Sequence, residues 1–178
     1  EKYDSAIRGA LARALKRSSG SGVEAPCAVD LGAGSGLLSM MAARAGAGIV
    51  HAIERSSFLA KVGPQIVANN GFTVTYSDKG RAPDSTNVLW HHEDSSQVTL
   101  EDIGGRRCEV LISETLGVSV FDEGGLGLMA DLRSRLLFPT LASSVAAQVT
   151  SDPGSPTVSF SEVVPERVTT WAAVLRCN

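Results

Sequence analysis

The segment from Cys27 to Met41 has the sequence CAVDLGAGSGLLSMM and carries the strongest structural signal in the chain. A short apolar run carries the carboxylate Asp30, passes through glycines at alternate positions, and becomes an apolar stretch with helical character. This order predicts a strand, a tight turn and the start of a helix. Glycines let the backbone approach a ligand closely, and the free N–H groups at a helix start favour the ligand's negative end. The stretch therefore predicts a turn that binds a nucleotide or nucleoside.

The spacing of the glycines narrows the class of ligand. Dinucleotide-binding turns have the pattern G-x-G-x-x-G and leave the helix start for a pyrophosphate. Here the third glycine, Gly36, comes one residue early, and Asp30 stands two residues before Gly32. An acid at that place repels a pyrophosphate but tolerates the sulfonium and amino group of S-adenosylmethionine. The run from Asp30 to Gly36 resembles motif I of the class I methyltransferases.

Composition bounds the number of domains and the class of partner. The chain has 178 residues, of which 43% are hydrophobic, enough for one domain with a sizeable core. Its net charge of −3 and pI near 5.6 argue against nucleic-acid binding through phosphate contacts and are compatible with a basic protein substrate. No apolar run approaches the roughly 20 residues of a membrane span. We therefore expect neither nucleic acid nor membrane as a direct partner.

Cysteine and histidine spacing indicates no metal site. Cys27, Cys108 and Cys177 are odd in number and far apart, and the first two fall at predicted strands, where cysteine behaves as a small apolar side chain. This usage favours a reducing compartment, and we expect a cytoplasmic or nuclear protein. The run from His91 to Asp94 alternates between the two faces of a strand and has no distant partner set. We therefore expect it to bind no metal ion.

Strands and helices alternate between residues 27 and 137. This alternation predicts an α/β fold with a mainly parallel, Rossmann-like sheet and helices on both faces. The predicted helices are 1–16, 37–45, 58–69 and 125–137, and the predicted later strands are 49–54, 73–76, 87–91, 108–113 and 142–150. We expect a helix and connector in residues 1–22, a Rossmann-like cofactor domain in 23–140, and a short piece of an incomplete β-barrel in 141–178. Residues 77–86 are expected to form an insertion in a surface loop.

Three glutamates follow predicted strands. Glu54 lies 22 residues after Gly32, where doubly wound sheets place an acid that binds a ribose hydroxyl pair; the alternative is an acid near a helix start. Glu114 and Glu123 lie nine residues apart in a loop that leaves a buried strand at the edge where such sheets bind ligands. Two carboxylates that face one cavity match the planar fork of a guanidinium with paired hydrogen bonds.

Together with the glycine turn and Glu54, the segment from Glu114 to Glu123 resembles the double-glutamate loop of the protein arginine methyltransferases. Similarity covers about residues 2–150 and is greatest to the branch of arginine methyltransferases 7 and 9. The resemblance implies S-adenosylmethionine as cofactor and S-adenosylhomocysteine as product. It implies Glu114 and Glu123 as catalytic residues that grip the substrate arginine. The cofactor-binding residues that it implies are Asp30, Gly32, Ala33, Gly34, Gly36, Leu37, Glu54, Arg55, Asp94, Ser95 and Ser96.

The resemblance also implies an activity and partners. The enzyme would transfer a methyl group to the guanidinium of arginine in protein or peptide substrates, such as histones or Gly/Arg-rich proteins. The full-length protein would be a homodimer or pseudo-dimer. In this family an N-terminal helix covers the cofactor and a C-terminal β-barrel completes the substrate groove, and most of the helix and the barrel are not recognisable here. The family also has a Thr-His-Trp-type loop that braces this groove, whereas Thr169-Thr170-Trp171 lacks the histidine. We therefore expect a fragment, or a longer chain with pieces left out.

Three alternatives remain open. A class I methyltransferase acting on another acceptor would keep the cofactor and change the substrate. A nicotinamide-dependent oxidoreductase is disfavoured by the glycine spacing. A non-catalytic scaffold would keep the cofactor site without a complete substrate groove.

Overall fold

The structure, a computed structural model, describes residues 1–18, 25–76, 87–115, 124–138 and 161–165. The strands are β1 (Cys27–Leu31), β2 (Ile49–Ile53), β3 (Val74–Tyr76), β4 (Val88–His91), β5 (Val110–Ser113) and β6 (Glu162–Val164). The helices are α1 (Lys2–Ser18), α2 (Leu37–Arg44), α3 (Leu59–Asn69) and α4 (Gly125–Leu136). The strands form one sheet in the order β3-β4-β2-β1-β5-β6, and every neighbouring pair is parallel.

The predicted α/β fold with a parallel sheet is confirmed. The predicted helices and strands within the described residues agree with the observed ones to within about two residues at each end. The predicted strand 142–150 and the predicted insertion 77–86 lie outside the described residues. In the described part of the chain, every helix is too short or too polar to span a bilayer.

The last strand joins the same sheet as the others. β6 pairs with β5, so residues 161–165 extend the Rossmann-like sheet at its edge. Glu162 also binds α1, because its carboxylate accepts hydrogen bonds from Arg13 at 2.9 and 3.2 Å. The other residues of 141–178 lie outside the described part, and the predicted division into domains stays a prediction.

The central strands are buried along their whole length and are mostly apolar, because helices cover both faces of the sheet. On one face, sheet residues such as Ala28 and Trp90 pack against apolar stripes of α1, α2 and α3. On the other face, residues such as Leu111 pack against Leu132 and its neighbours in α4. Two hydrophobic cores therefore hold the sheet in place between helices.

The order of the strands reverses beside β1, because β2 lies on one side of β1 and β5 on the other. At such a switch point the loops that leave neighbouring strands separate, and a crevice opens at the carboxyl ends of the strands. The register pairs Leu31 with Ser113, so β1 and β5 end at the same level. The glycine turn after β1 and Glu114 after β5 are thereby brought to one edge of the sheet.

Two cysteines of the α4 face are joined. Cys27 and Cys108, which are 81 residues apart in sequence, form a disulfide with their Cα atoms 4.7 Å apart. This corrects the expectation of separate apolar cysteines. Nearby, His51 Nδ1 lies 3.1 Å from His91 Nε2, and both rings are buried. Burial lowers the pKa of His51 to about 3 and that of His91 to about 4, so both imidazoles are neutral at pH 7.

Two helical glycines give opposite predictions for stability. A Cβ on Gly63 in α3 would lie 2.6 Å from the carbonyl oxygen of Gly34 and 2.7 Å from Trp90 Cζ2. A Cβ on Gly127 in α4 would have no neighbour within 4 Å among the residues that the structure describes. We expect Gly63→Ala to lower the free energy of unfolding by about 1–3 kcal/mol through overpacking. Gly127→Ala should raise it by about 0.5–1 kcal/mol through helix propensity. Urea denaturation of both variants checks this, and equal effects would contradict the close packing of α3 on the glycine turn.

Candidate functional site

The turn after β1 is built by three glycines. Gly32, Gly34 and Gly36 have φ angles of 72°, 57° and 80°, all in the left-handed region that other residues avoid. The N–H groups of Gly32 and Ala33 donate to the carbonyl oxygen of Ile53 at 2.9 and 3.0 Å. A Cβ on Gly32 would collide with the loop that follows β5. The turn is therefore fixed against the end of β2 and close to the loop after β5.

Glu54 follows β2 and fastens the glycine turn from the other side. Its side chain is only 6% exposed. Oε2 accepts a hydrogen bond from the N–H of Gly34 at 2.9 Å, and Oε1 accepts one from the N–H of Ser56 at 2.7 Å. Because a carboxylate has about four lone-pair sites, acceptor capacity remains for hydroxyl groups of a ligand. Of the two roles that the sequence left open, the contact with the backbone ahead of α3 is observed, and the ribose-binding role stays a prediction.

Asp30 lies beneath the turn and is fully buried. Its Oδ2 accepts a hydrogen bond from Ser39 Oγ at 2.6 Å, which joins the end of β1 to the first turns of α2. Oδ1 has no hydrogen-bond partner among the described residues. Burial raises the pKa of Asp30 to about 6, and the bond from Ser39 opposes this rise. The buried acid therefore places negative potential under the turn once it ionises.

A cleft of about 240 Å³ opens at the switch point of the sheet. It lies between the turn after β1, the end of β2, and the loops after β4 and β5. The predicted site residues that line it are Gly32, Gly34, Glu54, Arg55, Asp94, Ser95 and Glu114. The structure thus gathers into one cleft predicted site residues that are up to 82 positions apart in sequence, and their roles in binding stay predictions.

The charges on the cleft wall are mostly negative. Glu54, Glu93, Asp94 and Glu114 contribute carboxylates, and Arg55 is the one basic residue among the described residues that line the cleft. A wall of this kind repels pyrophosphate and attracts cations such as a sulfonium or a guanidinium. The chemistry of the cleft therefore disfavours a dinucleotide ligand.

The loop after β4 is held by contacts within itself and from α4. Asp94 Oδ1 accepts hydrogen bonds from the backbone N–H and the hydroxyl of Ser96 at 3.0 and 2.8 Å. Arg135 donates to the carbonyl oxygens of Ser95 at 2.9 Å and Val98 at 2.6 Å. Ser95 is buried and faces the cleft, whereas Ser96 does not line it. Arg135 of α4 thus holds the loop that forms one wall of the site, a role that the sequence did not predict.

The loop after β5 supplies Glu114, which is exposed and lines the cleft. Tyr3 of α1 lies above the end of the same strand, because its hydroxyl donates to the carbonyl oxygen of Ser113 at 3.1 Å. Burial raises the pKa of Tyr3, and the charges of Glu114 and Asp30 raise it further. The N-terminal helix therefore packs beside the end of β5, next to the residue that precedes Glu114. Glu123 lies outside the described residues, so its convergence with Glu114 stays a prediction.

Several predicted cofactor residues do not line the cleft. Asp30 lies beneath it, and Ala33, Gly36 and Ser96 belong to its supporting turns. Leu37 is 51% exposed and lines a separate pocket of about 440 Å³ between α1 and α2. Sequence reasoning also missed Ser39, which donates a hydrogen bond to Asp30. The available signal was a hydroxyl within an apolar helical stretch, nine residues after the acid.

The raised pKa of the buried Asp30 carboxyl predicts how the free energy of unfolding depends on pH. Its pKa in the folded chain is about 6, above the ordinary 3.8, so between these values the folded state holds more protons than the unfolded state. The contribution of Asp30 to the free energy of unfolding is therefore present at low pH and is lost as pH rises toward 6. We expect the stability of Asp30→Asn relative to wild type to increase by about 2 kcal/mol between pH 4 and pH 7.

Urea denaturation at several pH values measures this difference. Asp4→Asn is the matched control, because Asp4 is an exposed carboxyl in α1 whose pKa is lowered by its hydrogen bond from Arg8. The stability of Asp4→Asn relative to wild type should not increase between pH 4 and pH 7. A wild-type-like pH dependence in Asp30→Asn would show that Asp30 is ionised in the fold throughout this range.

Comparison with known proteins identifies similar chains. No family model matches. Protein arginine N-methyltransferase 7 of Danio rerio is 34% identical over 128 residues, which are 71% of this chain and 16% of that protein. Arginine N(omega)-methyltransferase of Streptomyces achromogenes subsp. streptozoticus is 32% identical over 130 residues, which are 73% of this chain and 32% of that protein. The chain thus spans a minor part of the length of these relatives.

Solved structures have the same fold. The PRMT1 enzyme-prozyme complex of Trypanosoma brucei superposes on 76% of this chain and 36% of its own chain, with a TM-score of 0.56 and 24% identity. The sequence relatives, the acid-lined cleft and the glycine turn agree with one another. The chain belongs to the protein arginine methyltransferase family.

Proposed function

We propose that this chain is the cofactor-binding part of an S-adenosylmethionine-dependent protein arginine N-methyltransferase. The observation that carries the proposal is the acid-lined cleft at the switch point, with the glycine turn and Glu54 on one side and Glu114 on the other. The relatives named above support it, since they are called arginine methyltransferases. The Trypanosoma brucei complex, which has the same fold, contains AdoHcy.

The residues of the cleft fit the parts of this cofactor. Glu54 retains acceptor sites for the two ribose hydroxyls, and the buried Ser95 with its loop lies where the adenine end would be met. The carboxylates of the wall suit the positive sulfonium and ammonium groups, and Asp30, buried beneath the turn with no partner for Oδ1 among the described residues, adds negative potential from below. When bound, the cofactor supplies a methyl group on a positively charged sulfur.

The substrate arginine would be oriented by Glu114, with Glu123 proposed as its second partner. A carboxylate accepts the N–H groups of a guanidinium, which leaves one nitrogen free to face the methyl donor in line. Orientation of this kind supplies up to about 7–11 kcal/mol of a barrier between two reactants. The same carboxylate stabilises the charge that develops on the guanidinium. The substrate proton leaves with or after methyl transfer, because guanidinium does not lose it beforehand at neutral pH.

A transfer assay tests the proposal. The chain is incubated with tritiated S-adenosylmethionine and a Gly/Arg-rich peptide, or the same peptide with each arginine replaced by lysine. We expect the arginine peptide to be labelled and the lysine peptide to remain unlabelled. Binding of the cofactor without transfer would favour the scaffold alternative, and absence of cofactor binding would contradict the proposed function.

A second acceptor is favoured by one observation. The Streptomyces relative is named for arginine rather than for protein arginine, and it is 32% identical over a similar share of the chain. Free arginine is therefore the second candidate substrate. Competition decides between them: if free arginine is methylated faster than the peptide at equal concentration, the small-molecule acceptor replaces the protein.

The proposal extends to partners and location. Basic protein segments such as histone tails or Gly/Arg-rich regions are the proposed substrates, since the chain has a net charge of −3 and its cleft is acidic. A homodimer or pseudo-dimer of the full-length protein is proposed, supported by the heterotetrameric assembly of the Trypanosoma brucei enzyme. The cytoplasm and the nucleus are the proposed compartments. Sedimentation analysis of the full-length protein tests the oligomeric state.

A further inference from the structure

A cluster of metal-binding side chains lies within the core, apart from the cleft. The ligand atoms of Cys27, His51 and Cys108 all lie within 4.8 Å of one another. The three residues are 5%, 2% and 0% exposed. They come from β1, β2 and the residues just before β5, and none of them lines the cleft. The proposed methyltransferase chemistry gives this cluster no role.

The composition of the cluster suits a thiophilic metal ion. Two thiolates and an imidazole are ligands that Zn²⁺ prefers, at about 2.3 Å to sulfur and 2.0–2.1 Å to nitrogen. Tetrahedral ligands at such distances are about 3.5–3.8 Å from one another, a separation that the observed cluster reaches with small side-chain movements. The strands that carry the ligands hold their backbones in register, because Cys27 pairs with Ile49 and Val29 pairs with His51.

His91 supplies the support that metal-binding histidines usually have. His51 Nδ1 lies 3.1 Å from His91 Nε2, so Nε2 of His51 is the nitrogen left for a metal ion. With Nδ1 donating to His91, the ring of His51 is fixed in one tautomer and one orientation. His91 is thereby a positioning residue and not a ligand.

We propose that the reduced chain binds one Zn²⁺ through Cys27, His51 and Cys108, and that the disulfide form is its metal-free, oxidised state. A dithiol reductant opens the disulfide by giving two electrons and two protons, and is itself oxidised to a disulfide. Zinc then binds both sulfurs as thiolates, and two protons pass to solvent. A water molecule takes the fourth position of the tetrahedron.

The sequence pattern predicted no metal site, because the cysteines and histidines lack a recognisable spacing. The cluster forms only through the parallel pairing of distant strands. This pairing places Cys27 diagonally across from His51, two residues from its register partner Val29, and Cys108 lies just before the paired strand β5. The proposed site would join β1, β2 and the residues just before β5. The residues that follow these three strands line the cleft. Zinc would therefore stabilise the sheet in a reducing environment, where the disulfide does not form.

Metal analysis of the purified chain tests the proposal. The chain is expressed in zinc-supplemented medium, purified with a phosphine reductant, and analysed by mass spectrometry of the bound metal. We expect about one zinc per reduced chain and less than about a tenth of that after oxidation to the disulfide. Because the two states share one sequence, this comparison does not depend on whether a variant folds.

Variants assign the ligands. Cys27→Ser, Cys108→Ser and His51→Gln should each lower bound zinc at least about tenfold, and His91→Gln should weaken zinc affinity about ten- to a hundredfold. Cys177→Ser and His92→Gln are matched controls and should retain zinc. Cobalt substitution should give the visible absorption of a tetrahedral thiolate site only where both cysteines are present. A reduced wild-type chain without zinc, or zinc that survives loss of Cys27 and Cys108, would overturn the proposal.

Discussion

Glu114→Gln should lower the turnover number of arginine methylation about a hundred- to a thousandfold. Glu114 follows β5 directly, lines the cleft, and is the described carboxylate proposed to bind the substrate arginine. The substitution keeps the shape of the side chain but removes the charge that is proposed to hold the guanidinium and to stabilise it during transfer. The measurement is the initial rate with tritiated S-adenosylmethionine and an arginine peptide.

The affinity for the cofactor separates this effect from damage to the fold. We expect the Kd for S-adenosylhomocysteine to change little in Glu114→Gln, because loss of a group that acts mainly in the transition state lowers the turnover number. Glu101→Gln is the matched control, since Glu101 is an exposed glutamate that does not line the cleft. A Glu114→Gln variant as active as this control would remove Glu114 from the chemistry.

Glu54→Gln should raise the Kd for S-adenosylhomocysteine about ten- to a hundredfold, or about 1.4–2.7 kcal/mol. Both oxygens of Glu54 accept backbone N–H groups, from Gly34 and from Ser56. A glutamine has one oxygen, so its NH₂ group must face one of these two donors. The turn and the ribose position are both disturbed by this mismatch.

Calorimetric titration of S-adenosylhomocysteine measures the effect of Glu54→Gln. Glu93→Gln is the control, because Glu93 also lines the cleft but is exposed. We expect the control to bind within about threefold of wild type, as exposed charges contribute little. Equal losses in both variants would point to the general charge of the cleft and not to the bonds made by Glu54.

The fold was predictable because its signals are local. Residues 27–31 form a short apolar run before glycines, and residues 37–44 form a longer apolar stretch with helical character, so length and the flanking glycines separate strand from helix. The parallel sheet followed from the alternation of such elements. The partners of each strand did not, because pairing depends on packing between residues that are distant in sequence.

The site was predictable where a motif carries the chemistry. The glycine turn, Glu54 and Glu114 each follow a strand, and parallel strands bring their carboxyl ends to one edge. Residues that act from beneath the site gave weaker signals. Asp30 was predicted to touch the cofactor but lies under the turn, and Leu37 lines another pocket.

The cysteine and histidine cluster shows the opposite case. Cys27, His51, His91 and Cys108 belong to no motif, and their nearness arises only from the register of β1, β2, β4 and β5. A disulfide between residues 81 positions apart cannot be inferred from spacing alone. The sequence therefore located the cleft but not this second site in the core.

The proposed function requires that the cleft between the glycine turn and Glu114 holds the methyl donor. A crystal structure of the chain with S-adenosylhomocysteine tests it most directly. We predict ribose hydroxyls on Glu54, adenine beside the loop of Ser95, and the sulfur on the side of the cleft that Glu114 lines. A ligand bound in the pocket between α1 and α2, or a cleft that stays empty at saturating ligand, would show that this cleft is not the cofactor site.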